Sequence, residues 1–331
     1  MFQIFCAGID LKETSVTIRH LKQYNVKTVL DYVAEGDKSD KGFDSNLKTI
    51  LQNIECVKGE SPNAFVGVKL SGLEDVEFIK EINDVHVISD EIKLRRMNKF
   101  INRVNKICAE AVSKNVKVYF DAEERSTQDV YDFLVEKMMK TYNTECVYVY
   151  NTLQMYLKDR LEYLEYCIED AEKEKYKLGF KLVRGAYVEK EREEAIQKEI
   201  SSPVFDTKIE TDMAFDKALT ICLMNTDLIE TCIATHNEKS IQLAIDIIEK
   251  NNISDHQHKV YFSQLYGMSD NLTFNLASKK YNSSKYVPYG ELEKAIPYLL
   301  RRAAENSSIE GQVSREYELL KKEVVRRKLK H

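Results

Sequence analysis

The chain has 331 residues and a formal net charge of −5, with 49 Lys and Arg against 54 Asp and Glu. That balance gives no bulk attraction to nucleic acid, and no apolar run approaches the 18 residues a membrane-spanning helix needs. A hydrophobic share of 43% and a charged share of 31% suit a globular protein, at a length that one α/β barrel can hold.

In chain order, the opening MFQIFCAGIDLKET lacks a basic stretch followed by a long apolar core, so no secretory signal is expected. Residues 1–25 read as a lead-in. Eight β-branched and aromatic runs follow: VKTVLDYV (26–33), AFVGVKLS (64–71), VKVYFDA (116–122), CVYVYN (146–151), FKLVRGA (180–186), IETCIATH (229–236), KVYFSQL (259–265) and KYVPYG (285–290). Between them lie helical patterns such as LRRMNKFINRVNKICAEAVSK and MYLKDRLEYLEYCIEDAEKEK, with apolar positions recurring at three and four residues. This alternation predicts a (β/α)8 TIM-like barrel. A doubly wound sheet also alternates, but no G-x-G-x-x-G follows the first strand. The last stretch, VSREYELLKKEVVRRKLKH, reads as an amphipathic helix within a C-terminal segment 309–331, expected at the top of the barrel. With 4 prolines, 11 glycines and no Gly/Ser/Pro-rich linker, residues 1–331 are expected to form one domain. The seven cysteines form no C-x-x-C and read as small core residues of a reducing compartment. His256 and His258 form the one close His pair and lack companions, so no metal site is expected.

Barrel chemistry sits at the C-terminal ends of strands. Lys69, Asp121 and Asn151 close the second, third and fourth runs; Lys181 and Arg184 lie in the fifth, Thr235 and His236 end the sixth, Gln264 lies in the seventh, and Tyr286 belongs to the eighth. Each alone reads as a capped strand end, but their recurrence at one rim points to a site. Arg301 and Arg302 follow the apolar run 296–300. Helical neighbours point about 100° apart, so the pair serves two partners or meets one ligand from two sides. With Lys69, Lys181 and Arg184 they make a cation-rich rim, suited to a small carboxylate beside a phosphate-bearing cofactor. Gly185 and Ala186 let backbone approach a ligand closely. The residues do not distinguish a flavin from other phosphorylated ligands, and Lys69 also suits Schiff-base chemistry in a flavin-free lyase.

FKLVRGAYVEKER, ATHNEKS, FSQLYGMSDN and KYVPYGELEKAIPYLLRRAAEN, in that order, with VKLSGL and YFDAEE upstream, resemble the proline dehydrogenase family from about Leu30 to Ser308. The wording is most similar to its monofunctional members. The resemblance implies FAD-dependent oxidation of L-proline to Δ1-pyrroline-5-carboxylate, the first step of proline catabolism, with hydride passing from C5 to flavin N5. It implies that Lys69, Arg301 and Arg302 clamp the substrate carboxylate, that Tyr286 packs over the pyrrolidine ring, that Asp121 braces the site, and that Glu35 is an acidic gate. Leu265 is expected against the substrate and the cofactor. Noncovalent FAD is expected on Ala122, Asn151, Gln154, Lys181, Arg184, Gly185, Ala186, Thr235, His236, Gln264, Arg302 and Glu305.

Lys181 stands where bacterial members commonly carry arginine by the flavin, and Asn151 where they commonly carry glutamine, with Gln154 three residues on. Members acting on 4-hydroxyproline carry a small residue in place of the tyrosine, so Tyr286 argues for proline. The resemblance further implies a membrane quinone as electron acceptor. The basic tail KKEVVRRKLKH suits a solvated helix or a peripheral contact with an anionic bilayer. A cytoplasmic protein, peripheral at the inner membrane, is expected; family members usually begin with further helices, and a shortened start would hide a mitochondrial address. A relative that only binds proline is the remaining rival.

Overall fold

The computed structural model describes residues 2–33, 38–60, 64–83, 89–253, 259–293, 295–296, 298–300 and 321–327. Helices α1 (Phe2–Phe5) and α2 (Leu11–Gln23) lead into β1 (Val26–Tyr32). Then come α3 (Asp40–Val57), β2 (Phe65–Lys69), α4 (Val76–Asn83), α5 (Glu91–Ser113), β3 (Lys117–Asp121), α6 (Arg125–Tyr142), β4 (Val149–Gln154), α7 (Arg160–Glu174) and β5 (Leu178–Val183). The second half holds α8 (Val188–Gln197), α9 (Lys208–Met224), β6 (Ile229–Ala234), α10 (Glu238–Lys250), β7 (Val260–Leu265), α11 (Asp270–Ser278) and β8 (Asn282–Tyr289). Each strand pairs in parallel with the next, and β8 returns to β1 to close an eight-stranded barrel.

Side-chain caps explain five of the helix starts among the described residues, those of α2, α3, α5, α9 and α10. Asp10 accepts from the Glu13 N–H at 2.8 Å, Asp90 from Ile92 N–H at 2.7 Å, and Thr207 and Glu210 form a reciprocal capping box at α9. Helix stops are less visible, because this glycine-poor chain turns left-handed on Asn25 (φ 57°), Asn115 (φ 54°) and Lys175 (φ 60°) before β1, β3 and β5.

Strand parity sorts the core into two. Outward residues such as Leu30, Val66, Phe120, Leu153, Phe180 and Ile233 pack against the helices. Inward residues Phe65, Tyr119, Tyr150 and Tyr261 fill the barrel as an aromatic plug, with Phe65 and Tyr119 stacked at 4.5 Å and Tyr119 edge-on to Tyr150 at 5.0 Å. Below them Lys117 pairs with Glu230, which also accepts from the Tyr150 hydroxyl at 2.7 Å. A filled interior leaves chemistry to the upper rim.

Two boundaries differ from the sequence reading in ways that matter. The fourth strand was expected over 146–151 but runs Val149–Gln154. The Asn143 carboxamide accepts from the Tyr148 and Val149 N–H groups at 2.9 and 3.0 Å and holds the preceding residues as a loop. The helix expected from Met155 begins at Arg160, because the Met155 and Tyr156 N–H groups donate to Val183 and Arg184 carbonyls and prolong the β4–β5 ladder. At the C-terminus the predicted helix is present over residues 321–327. The rest of the segment 309–331 lies outside the described residues, as do Glu35, Arg301, Arg302, Glu305, His256 and His258.

Candidate active site

The site begins with inward positions at the C-terminal strand ends: Asp31 on β1, Lys69 on β2, Asp121 on β3, Gln154 on β4, Lys181 on β5, Leu265 on β7 and Tyr286 on β8. Lys69 and Asp121 are register partners across β2 and β3, so pairing alone places them side by side. The Lys69 ammonium donates to Asp31 at 2.7 Å and to Asp121 and the Tyr286 hydroxyl at 3.3 Å each. Lys181 donates to the other oxygen of Asp121 at 2.6 Å and lies 4.6 Å from the centre of the Tyr286 ring. The Tyr286 hydroxyl donates to Asp121. Glycine makes this possible: a Cβ on Gly67 would stand 2.6 Å from the Tyr286 hydroxyl, so only a residue without one lets the ring lie across the barrel.

The electrostatics follow from burial. Burial works against a charge on Lys69, but Asp31 and Asp121 more than offset it and hold its pKa above the ordinary lysine value. Burial likewise works against ionised Asp121, yet Lys181 and Lys69 bring its carboxyl down to about 2. Burial pushes Asp31 up while Lys69 pulls it down. Both groups are raised on balance, which favours the charge on Lys69 and disfavours it on Asp31, and the 2.7 Å contact decides for an ionised, charge-assisted pair. Burial and then Asp121 push the Tyr286 phenol well above its usual value.

Two expectations change here. The rim was read as cation-rich, but among the described residues each inner lysine is matched by an aspartate. Lys69 was also a Schiff-base candidate, which needs a neutral amine. A raised pKa keeps it an ammonium, so the lyase reading loses its nucleophile.

Strand parity removes three predicted cofactor side chains from the inner rim. Asn151 points outward and donates to Asp132 at 2.8 Å and Tyr163 at 3.2 Å, in the layer between β4 and the helices. Gln264 also points outward, donating to the Thr235 carbonyl at 3.2 Å and accepting from Thr273 at 2.9 Å. Arg184 turns towards α9 and α10: it donates to Asp212 at 2.6 Å, Thr235 at 2.8 Å and Ser240 at 2.9 Å, over the Phe215 ring at 4.3 Å. Gly185 is required by its φ of +125° and by Tyr156, whose ring would lie 1.9 Å from a Cβ there. The structure therefore explains this glycine without a ligand. Ala122 and Ala186 follow their strands at the rim, half-buried and exposed. His236 bridges β6 and β7, its Nδ1 at 2.8 Å from the Ser269 hydroxyl while Nε2 accepts from Leu265 N–H at 3.4 Å.

Sequence reasoning missed Asp31 and Glu123. Asp31 left a signal, a lone acid inside the apolar run VKTVLDYV. Glu123 lies beyond β3, half-buried; burial pushes its carboxyl up, and it accepts from Ser71 N–H at 3.2 Å, Ser71 hydroxyl at 2.7 Å and Tyr131 at 3.2 Å. It ties the exit of the Lys69 strand to α6.

A family model described as proline dehydrogenase matches residues 14–315. The chain belongs to the proline dehydrogenase family. The carbapenem antibiotics biosynthesis protein CarD of Pectobacterium carotovorum is 33% identical across 98% of this chain and 84% of its own length. The mitochondrial proline dehydrogenase 1 of Dictyostelium discoideum is 31% identical across 98% of this chain, which spans 64% of that protein. Among solved structures, proline utilization A of Bdellovibrio bacteriovorus, inactivated by N-propargylglycine, superposes with a TM-score of 0.83 at 22% identity, over 93% of this chain and 33% of that one. That likeness carries the fold, and the proline dehydrogenase family makes the chain an oxidoreductase.

Proposed function

We propose that this proline dehydrogenase family chain oxidises L-proline to Δ1-pyrroline-5-carboxylate with noncovalent FAD and passes the electrons to a membrane quinone. One observation carries the reading. In a barrel of this family, Lys69, Asp121, Lys181 and Tyr286 form one hydrogen-bonded cluster at the mouth, above an aromatic plug.

The described residues fit a flavin at one point in particular. Gln154 is 2% exposed at the end of β4, its amide N–H donates to the Glu123 carbonyl at 2.9 Å, and its carbonyl oxygen is buried without a partner among the described residues. A buried orphan acceptor is costly unless something donates to it, and the N–H edge of a flavin ring is such a donor. Gln154 takes the role the sequence reading gave to Asn151; Lys181 on β5 and Leu265 on β7 share its inner rim, and the small Ala122, Gly185 and Ala186 leave room. When bound, FAD supplies the acceptor for the C5 hydride.

The protein supplies position and charge. Lys69, with Arg301 and Arg302, binds the carboxylate, and the Tyr286 ring bears on the pyrrolidine face. Asp121 fixes both lysines and the phenol at once. Neither Asp121, held ionised by two lysines, nor Tyr286, held protonated, is a free base at neutral pH. In this reading water takes the amine proton, and kcat/KM should rise with pH towards the amine's own pKa; a profile flat from pH 6 to 9 contradicts this step. No described helix is long and apolar enough to cross a membrane. The basic helix 321–327, with Val324 and Val325 exposed beside Arg326 and Arg327, is the segment for peripheral contact, and salt-sensitive liposome binding lost on its removal is expected.

The deciding experiment is an absorbance spectrum of purified protein before and after anaerobic L-proline. A flavin spectrum bleached by proline supports the reading, while a colourless protein unable to take up FAD rejects it.

A further inference from the structure

We propose that Asp31 is the counter-ion that holds the Lys69 ammonium in the substrate pocket and limits how strongly that pocket draws an anion. The proposal deepens the function above and rests on Lys69 meeting the substrate carboxylate.

The argument is one of donors and acceptors. An ammonium has three N–H donors. Those of Lys69 are taken by Asp31 at 2.7 Å, Asp121 at 3.3 Å and Tyr286 at 3.3 Å. An arriving carboxylate must displace one of them. Asp121 can let go, because Lys181 at 2.6 Å and the Tyr286 hydroxyl still satisfy it. Tyr286 can let go, because it keeps Asp121. Asp31 cannot: its side chain is 1% exposed and Lys69 is its one hydrogen-bond donor among the described residues. Losing that donor would leave a carboxylate buried and uncompensated. Lys69 therefore keeps Asp31 and yields its two longer contacts to the substrate.

Two consequences follow. Asp31 fixes where the ammonium sits, from the β1 side of the barrel. With Asp31, Asp121, Lys69 and Lys181 all charged, these four side chains balance one another, so Lys69 draws a carboxylate less strongly than a lone ammonium would. Asp31 acts through Lys69 and is a positioning residue.

The test uses the FAD-loaded protein and cyclopentanecarboxylate, a proline isostere with no amine to oxidise, followed by calorimetry. Asp31→Asn is expected to bind it roughly tenfold more tightly, in line with an unbalanced unit charge at close range. Its kcat for proline should fall about tenfold while KM stays level or drops. Carboxylate affinity in Asp31→Asn that is unchanged within about twofold, or weaker, overturns the proposal. If Asp31→Asn does not fold, the Asp31→Asn/Lys69→Gln double variant decides, since it leaves no buried charge unpaired. Recovery of folding supports the pairing, and failure to recover overturns it. The wild type separates the two readings. Wild-type flavin that proline does not bleach removes the proposed function, whereas bleaching together with an unresponsive Asp31→Asn variant removes only this inference. Wild-type protein that binds no carboxylate removes the Lys69 clamp and both readings with it.

Discussion

Tyr286 shows how much a single side chain can require of its surroundings. Its ring reaches the middle of the barrel only because Gly67 faces it, and its hydroxyl and Lys181 share Asp121. Gly67→Ala should therefore act on the site before it acts on the fold. The new methyl pushes the ring aside at a stability cost of about 1 kcal/mol, and kcat/KM for proline is expected to fall more than about tenfold, as steady-state kinetics and a denaturation curve would show together. Tyr286→Ser should open the same space to a hydroxyl and raise the ratio of trans-4-hydroxy-L-proline to L-proline turnover. Wild-type protein that already oxidises hydroxyproline as well as proline contradicts the specificity assigned to this residue. Lys69→Ala removes a charge-assisted bond worth about 1.5–3 kcal/mol, so KM for proline should rise at least about tenfold.

At the scale of elements, β4 decides between two polar residues three positions apart. An odd separation on a strand puts them on opposite faces. Asn151 joins Asp132, Arg160 and Tyr163 in the layer holding α6 and α7 to the barrel, where Arg160 donates to Asp132 at 2.6 Å. Gln154 lies on the inward face, its buried oxygen without a partner among the described residues. The two substitutions should separate cleanly. Asn151→Ala is expected to lower stability by about 1–3 kcal/mol in a urea titration and to keep its flavin. Gln154→Leu is expected to hold its urea midpoint and lose FAD about tenfold more readily on gel filtration. Asp132→Ala should cost about 3–5 kcal/mol, because it strips a buried arginine of a partner. The network around Arg184 belongs to the same scale: it fastens α9 and α10 to β5 and holds Thr235, so its effect on a cofactor passes through the backbone it fixes.

For the whole molecule, the buried charges at the mouth make stability depend on pH. Asp121 has a folded pKa of about 2 against an ordinary 3.8, so the folded state binds this proton less readily than the unfolded chain. Its contribution is fully present above pH 3.8 and fades as pH falls towards 2. Asp31, pushed up by burial, has the opposite sign and offsets part of the loss. Urea midpoints should hold down to about pH 4 and then fall, and Asp121→Asn should flatten that fall; a variant with the wild-type acid slope rules Asp121 out as its source.

The sequence by itself determined the eight-fold alternation, the family and the polar positions at one rim, because these depend on local periodicity and short motifs. It did not determine which face a rim residue occupies. Strand parity turns on where a strand begins, and a shift of three residues in β4 exchanged Asn151 for Gln154. Nor did it show that the inner lysines are neutralised. Lys69 meets Asp31 from 38 residues away and Tyr286 from 217, and only closure of the barrel brings those partners within hydrogen-bond reach.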